Sequence, residues 1–347
     1  MRKAYAYLLG SSLIVSSVFI SQSCTKHTSS DTTLVGNWTR ASDFDGNARG
    51  EAVSFVIGSS AYIATGYTDR NYFSDLWEYT LEKKYWSQKA DIPAAARYAA
   101  VSFTIGSKGY VGTGFDGVNN LGDFWEYDPA TDTWTQKDNF KGTARYNAMG
   151  FAIGNNGYVS CGYDGNYLKD LWQFDPNAAA GSQWVQKSSI GGTKRSASTV
   201  FVMNNIAYVV SGNNNGEILK DMWAYDPGSD NWTEKRPIYN YSDQTYDDLY
   251  GTSTTSLIAR QNAVAFTMGS YGYLTTGENG SILSTTWQYD PANDVWAQKT
   301  AFEGTARTGA IAFTLSDRGF VITGRSGSLV MDNGYEFHPN DAKVDGD

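Results

Sequence analysis

The sequence predicts an all-β fold, a six-bladed β-propeller of four-stranded antiparallel blades whose last blade is completed by the N-terminal strand. Three observations predict it. Composition comes first: the 347 residues include 36 Gly, 24 Tyr, 16 Phe and 11 Trp but only 7 Pro. Aromatics favour pleated surfaces and Gly supplies tight turns, so strands and turns are expected and an all-helical chain is not. The second is a motif present six times, and the third is a displaced copy of its last element at the start of the domain.

The N-terminus is read apart from the fold. Arg2 and Lys3 precede an uncharged stretch from Ala4 to Ile20, then Ser21, Gln22, Ser23 and Cys24, in the pattern of a secretory signal. Ser23 before Cys24 resembles the lipobox of bacterial lipoproteins, although Ser21 stands where a large aliphatic residue is usual; an ordinary secretory signal cut nearby is the alternative. The expectation is a signal peptide over 1–23, a lipidated Cys24 with a polar tether over 24–33, a propeller over 34–340 and a tail over 341–347. That makes the protein an exported envelope lipoprotein, expected at the outer membrane and facing the periplasm or the surface. Without residues 1–23 the charge moves from −9 to −11, because two of the 27 basic residues and none of the 36 acidic ones are lost. A surplus of negative charge opposes binding to phosphate backbones, so nucleic acid is not an expected partner.

The repeat begins with Arg49, Arg97, Arg145, Arg195, Arg260 and Arg307. Six residues later come Phe55, Phe103, Phe151, Phe201, Phe266 and Phe313, and seven beyond each Phe a Tyr or, once, Phe320. Gly66, Gly114, Gly162, Gly212, Gly277 and Gly324 follow four residues further on. A Trp-x-aromatic pair comes next, weakening to Tyr335 and Phe337 in the sixth copy, and a second Trp closes the first five units at Trp86, Trp134, Trp184, Trp232 and Trp296. The missing sixth Trp is Trp38, which precedes Arg49 by the same 11 residues that separate Trp86 from Arg97. In the second unit the strands are expected at 100–105, 110–114, 124–127 and 134–137, the first two joined by a four-residue turn from Gly106 to Gly109. A period near 50 residues with four strands is the pattern of a propeller blade, and closure by the N-terminal strand removes a frayed seam.

These motifs, Arg-x-x-Ala, Tyr-Val-x-x-Gly, Asp-x-Trp-x-Tyr-Asp-Pro and the closing Trp, resemble the kelch repeats of galactose-oxidase-like propellers from about Trp38 to Pro339. The resemblance implies a scaffold and no single function, since such propellers host enzymes and binding proteins alike. The copper site of the family's oxidase, with two His, two Tyr and a Tyr–Cys crosslink, is not carried over. His27 and His338 are the only histidines, and Cys161 stands where the second repeat has Thr113. With two His and two Cys, neither a multi-ligand transition-metal centre nor a serine-hydrolase triad is readily assembled, and no cofactor or metal is expected.

The third-strand residues Trp77, Trp125, Trp172 and Trp223 are expected between blades, and Asp75, Asp123, Asp170 and Asp221, two residues earlier, as caps of local backbone N–H groups. The six motif arginines fall at one channel mouth, where a guanidinium either binds ligand carboxylates or is consumed by neighbouring blades. Candidate ligand-binding residues are therefore Arg49, Arg97, Arg145, Arg195, Arg260 and Arg307. The variable loops of the same face add Tyr67, Asp69, Phe115, Asp116, Tyr163, Asp164, Tyr167, Asn213, Glu278, Asn279 and Arg325.

One connection, Trp232 to Arg260, is 28 residues long rather than 11. Its insertion, 239–256, supplies Tyr241, Tyr246 and Tyr250, expected to reach inward over the mouth. Loops of this length serve as lids or binding elements, or remain without fixed structure; a loop packed on its own aromatics is the plainer alternative, and the spacing of Asp243, Asp247 and Asp248 alone does not assemble a calcium site. The leading functional expectation is a non-catalytic, envelope-anchored protein that binds a carbohydrate or protein ligand on one propeller face. The alternative is a sugar mutarotase or isomerase, because the kelch scaffold is similar to that of exported N-acetylneuraminate epimerases.

Overall fold

The computed structural model describes residues 34–240, 249–251 and 256–346. Cys24 with the signal and tether segments, and Tyr241 and Tyr246 in the insertion, lie outside these residues. Among the described residues every helix or strand is a strand, and the strands form six four-stranded antiparallel sheets plus two two-stranded hairpins. Blade one runs Val53–Ile57, Ser60–Ala64, Leu76–Thr80 and Trp86–Lys89, and blades two to five repeat that order. Blade six takes Ile311–Leu315, Arg318–Ile322 and Gly334–His338 from the C-terminus and Asn37–Arg40 from the N-terminus, with Trp38 opposite Phe337. In blade two the strands are Val101–Ile105, Lys108–Gly112, Phe124–Asp128 and Thr133–Gln136. The expected four-residue turn is thus two residues, Gly106 and Ser107, with Gly106 at φ +58°.

The repeat Phe and the aromatic seven residues later are cross-strand partners, stacked at 5.1 Å for Phe55 and Tyr62 and at 5.2 Å for Phe313 and Phe320. These pairs join the closing Trp residues in six hydrophobic clusters, one between each two neighbouring blades. A Cβ on Gly109 of blade two would meet the Phe55 ring of blade one at 2.2–2.8 Å, so the small residue there sets how closely blades approach. The third-strand Trp77, Trp125, Trp172 and Trp223 are only partly buried and flank the clusters rather than fill them.

Each repeat Arg is buried, 0–1% exposed. Its Nε donates to the carbonyl two residues before it and its Nη1 to the carbonyl sixteen residues after it, as Arg49 does to Asn47 (2.9 Å) and Thr65 (2.8 Å). In blades one to four both terminal nitrogens also grip a carboxylate: Arg97 meets Asp123 at 2.6 and 2.7 Å, and Arg49, Arg145 and Arg195 repeat this with Asp75, Asp170 and Asp221. These Asp residues also accept the indole N–H of the next Trp, at 2.8 Å for Trp77. Their main partners are therefore these two side chains rather than the backbone N–H groups expected of caps.

Two rings of backbone hydrogen bonds close the circle. The N–H of Gly66 donates to the Arg97 carbonyl of the next blade (2.8 Å), and so on round to Gly324 and Arg49 (2.9 Å). The repeat glycine is required there: its φ is +82° to +102°, and a Cβ on Gly114 would sit 2.9 Å from the Tyr98 carbonyl. Nearer the axis, Ala99 N donates to the Glu51 carbonyl (3.0 Å), and the series returns through Glu51 N to the Gly309 carbonyl (2.7 Å).

Blades five and six break the brace. Thr285 and Asn333 replace the Asp, so Arg260 and Arg307 meet carbonyls and neutral side chains instead. Burial pulls the Arg260 guanidinium down to about 9 and that of Arg307 to about 10. The Trp287 indole N–H, fully buried, has no partner among the described residues. Replacing Thr285 with Asp restores both contacts, and thermal or urea unfolding is expected to show a gain of about 1–2 kcal/mol; no gain would mean that the carbonyl cradle already compensates the charge. Trp38 is 0% exposed, packs on Phe302 and Phe337 at 4.9 and 4.6 Å and donates to the Thr300 carbonyl. Trp38→Ala is expected to cost roughly 3–5 kcal/mol, and a denaturation midpoint equal to wild type would contradict closure by this strand.

Candidate functional site at the channel mouth

The residue after each Arg and the residue after each repeat Gly pair across the mouth of the variable face. Their identities divide the mouth in two. Blades one to three bring Tyr67, Tyr98 with Phe115, and Tyr146 with Tyr163; blades four to six bring Ser196 with Asn213, Gln261 with Glu278, and Thr308 with Arg325. The aromatic half is continuous. Centroids step from Tyr72 to Tyr98 (5.6 Å, stacked), Tyr98 to Phe115 (5.7 Å), Phe115 to Tyr146 (5.4 Å), Tyr146 to Tyr163 (5.7 Å) and Tyr163 to Tyr167 (5.1 Å), with Tyr67 against Tyr98 at 4.4 Å. The Tyr167 hydroxyl then donates to Asn213 Oδ1 at 2.9 Å, joining this arc to the polar half.

Two residues after each Arg, Glu51, Ala99, Asn147, Ala197, Asn262 and Gly309 line a cavity of about 130 Å³ at the axis. All six have φ between +50° and +59°, a left-handed conformation that costs non-Gly residues energy. Glu51 is the only charged side chain in this lining. Protein crowds the carboxyl although part of the residue looks onto the channel. Burial pushes it up to about 7; Arg325 opposes the rise and Glu278 adds to it. Tyr98 is raised to about 12 and Tyr67 is raised too, each by burial first and then by the Glu51 charge. Below this mouth the channel is uncharged, a space of about 420 Å³ with Ser54, Ser102, Thr104 and Thr314 in its wall. Their hydroxyls donate to carbonyls of the preceding blade, as Ser102 does to Ser54 (2.8 Å).

The loop candidates share this face but not one role. Tyr67, Phe115, Tyr163 and Tyr167 belong to the arc. Arg325 lies over the Tyr67 ring, donates to its hydroxyl and meets Asp69 at 3.1 Å. Gln261 Nε2 donates to Glu278 at 3.0 Å. Asp116 accepts the N–H groups of Val118 and Asn119, Asp164 that of Asn166, and Asn279 donates to the Ala259 carbonyl, so these three shape their own loops.

Two expectations need correction. The six repeat arginines are not ligand contacts of this mouth, because burial and the carbonyls and carboxylates around them use their donors. Tyr250 does not reach over the mouth either. It is 0% exposed beside Ile238, Ile258 and Trp287, and its hydroxyl accepts the Trp296 N–H of the outer strand of blade five at 2.7 Å. In blade one the Asp45 carboxylate receives the Trp86 N–H in the same way. Residues passed over in the sequence are Glu51, Tyr98 and Tyr146. Their signal was the pair of positions directly after each repeat Arg, where the six copies differ most in chemistry.

A repeat model described as "Kelch motif" matches residues 194–237. That span is blade four, and the other blades keep its strand order. The chain is a six-bladed propeller with a kelch motif in its fourth blade. Among solved structures the chain is similar to YjhT, with a TM-score of 0.67, 13% identity, and coverage of 84% of this chain and 96% of that one, a likeness of fold. No curated protein matches the chain in sequence.

The raised Glu51 value carries a stability consequence. A carboxyl whose folded value lies above its unfolded 4.5 stabilises fully below 4.5 and loses that contribution as pH rises through 7. Glu51→Gln is therefore expected to match wild type at about pH 4 and to exceed it at about pH 8, by roughly 1–3 kcal/mol once channel water has screened the charge. Unfolding curves at the two pH values check this; an equal difference at both would dismiss the buried-charge account.

Proposed function

We propose that this protein binds a carbohydrate at the variable-face channel mouth. One observation carries the reading: a continuous aromatic arc over blades one to three faces amide, hydroxyl, carboxylate and guanidinium groups on blades four to six. Sugar rings present apolar C–H faces and a rim of hydroxyls, so a platform opposite a set of directional polar groups suits both at once. The site sits on connections pinned to one another by β-bridges just beyond the strands, which preorganises it. The sequence-based expectation of export with a lipid on Cys24 belongs to the same proposal and would hold this face at the cell envelope.

A second reading, sugar isomerisation, has one observation in its favour: Glu51 ionises near neutrality, where a group takes and returns protons. A version that grips a substrate carboxylate through the repeat arginines is not supported, since their donors are spent within the fold.

Glycan-array binding of the full chain, followed by an anomer-exchange assay on each bound sugar, separates the readings. Binding without exchange is the expected outcome. Tyr98→Ala is expected to weaken the interaction by more than about 1 kcal/mol, as loss of a central contact does, while the unfolding midpoint stays close to wild type. Absence of any bound glycan, or binding untouched by Tyr98→Ala, would overturn the assignment.

A further inference from the structure

Glu51 is a departure that the fold does not use. The backbone N–H and carbonyl of that residue take part in the inner hydrogen-bonded ring, but so do those of Ala99, Ala197 and Gly309, whose side chains are small or absent. Its backbone is left-handed at φ +50°, where a long side chain brings no local advantage. Among the described residues, no donor lies within hydrogen-bond reach of its carboxylate. Other charged groups of the mouth are already engaged. Glu278 accepts from Gln261 and, at 3.4 Å, from Asn262. Arg325 is turned to Tyr67, Asp69 and the Gly327 carbonyl. Two carboxylates and this one committed guanidinium leave the axis negative, beside aromatic rings whose electron-rich faces favour cations.

We propose that Glu51 is the ion-pair partner of a protonated amine on the ligand, so that the sugar class this mouth selects is an amino sugar with a free, unacetylated amine. The proposal rests on the carbohydrate reading above and specifies it. The ammonium group enters the axial cavity walled by Ala99, Ala197 and Gly309, while the sugar ring lies on the arc formed by Tyr98 and its neighbours. A charge-assisted bond to a crowded carboxylate gains most where water is scarce. Burial, Arg325 and Glu278 set the ionisation of Glu51, and its charge in turn raises Tyr67, Tyr98 and Tyr146 around it.

Isothermal titration calorimetry of the full chain with a glucosamine hexasaccharide and with its fully N-acetylated counterpart tests this. At pH 7.5 the free-amine form is expected to bind at least tenfold more tightly than the acetylated form. In Glu51→Gln that preference is expected to vanish through lost affinity for the free-amine sugar, and an unfolding midpoint at pH 4 close to wild type reports a folded chain. The wild-type to Glu51→Gln affinity ratio for the free-amine sugar is expected to rise several-fold from pH 6 to pH 7.5, because titration of the probe is common to both proteins and cancels. Equal binding of the two sugars, or a preference that survives in Glu51→Gln, would overturn the amine assignment and leave the carbohydrate reading standing. If neither sugar binds at millimolar concentration but other glycans do, the amine assignment again falls alone; if no glycan binds, both fall.

Discussion

The buried guanidinium of the repeat Arg is the contact on which the rest of each blade depends. One side chain ties three separated pieces of backbone: the entry to the innermost strand, the end of the second strand and the start of the third. For Arg97 these are the Ala95 carbonyl, the Thr113 carbonyl and the Asp123 carboxylate. A charge with so little exposure is tolerable only when its donors are matched, because an unpaired buried ion costs several kcal/mol. The planar fork of Arg meets carbonyl and carboxylate at once, whereas a Lys has one point of charge and no fork. The left-handed residues Thr65, Thr113, Cys161, Ser211, Thr276 and Thr323, φ +56° to +63°, hold the second of these carbonyls in place. Cys161 occupies such a position fully buried, with its thiol pushed up to about 11 chiefly by burial, which leaves it packing rather than reactive.

The two blades without the carboxylate show what the brace does by its absence. Around Arg260 the carbonyls of Leu257 and Thr285 and the Thr285 hydroxyl replace the Asp, and the described part of the insertion fills the adjoining space with Tyr250, Ile238 and Ile258. Around Arg307 the Phe302 ring lies 4.9 Å from the guanidinium carbon, and Asn333 supplies a neutral oxygen. The same two blades give the mouth its carboxylate and its guanidinium, Glu278 and Arg325. Geometry is kept while charge is redistributed, since the hydrogen bonds to carbonyls persist in all six blades.

Blade number, strand order and circular closure were legible in the sequence because they follow from spacing. A fixed offset from Arg to Phe to Tyr to Gly can only be satisfied by repeating one local structure, and a Trp displaced to the front of the chain can only complete the back. The candidate site was legible in part. Tyr67, Phe115, Tyr163 and Arg325 were found because they stand after a motif Gly in segments that vary. Glu51, Tyr98 and Tyr146 were missed because they sit inside the motif, beside an Arg whose regularity suggested that its neighbours were structural too. Tyr250 of the insertion was misplaced for a different reason: length shows that a connection has room to travel, but not where it goes. Buried apolar groups decided the path of its described part, with Tyr250 drawn against Trp287 at the outer edge of blade five.

The scaffold is nearly six-fold while the mouth is not, and one property of the closure reconciles them. Both rings that join the blades are made of backbone groups, Gly N–H to Arg carbonyl in one and the residues at the Glu51 position in the other. A backbone ring fixes position and leaves chemistry open, so Glu, Ala, Asn, Ala, Asn and Gly can follow one another around the axis without altering the closure. What restricts these positions is the left-handed backbone, which Gly and Asn accept readily and Ala and Glu at a cost. At Ala99 and Ala197 that cost accompanies a small side chain packed at the axis. At Glu51 it accompanies a carboxylate with no hydrogen-bond partner among the described residues, and such a group is retained above a neutral channel only at the expense of stability. The same residue therefore weakens the folded state at alkaline pH and, with Glu278, supplies negative charge at the mouth that attracts a cation, and the balance between these effects is set by what occupies the mouth.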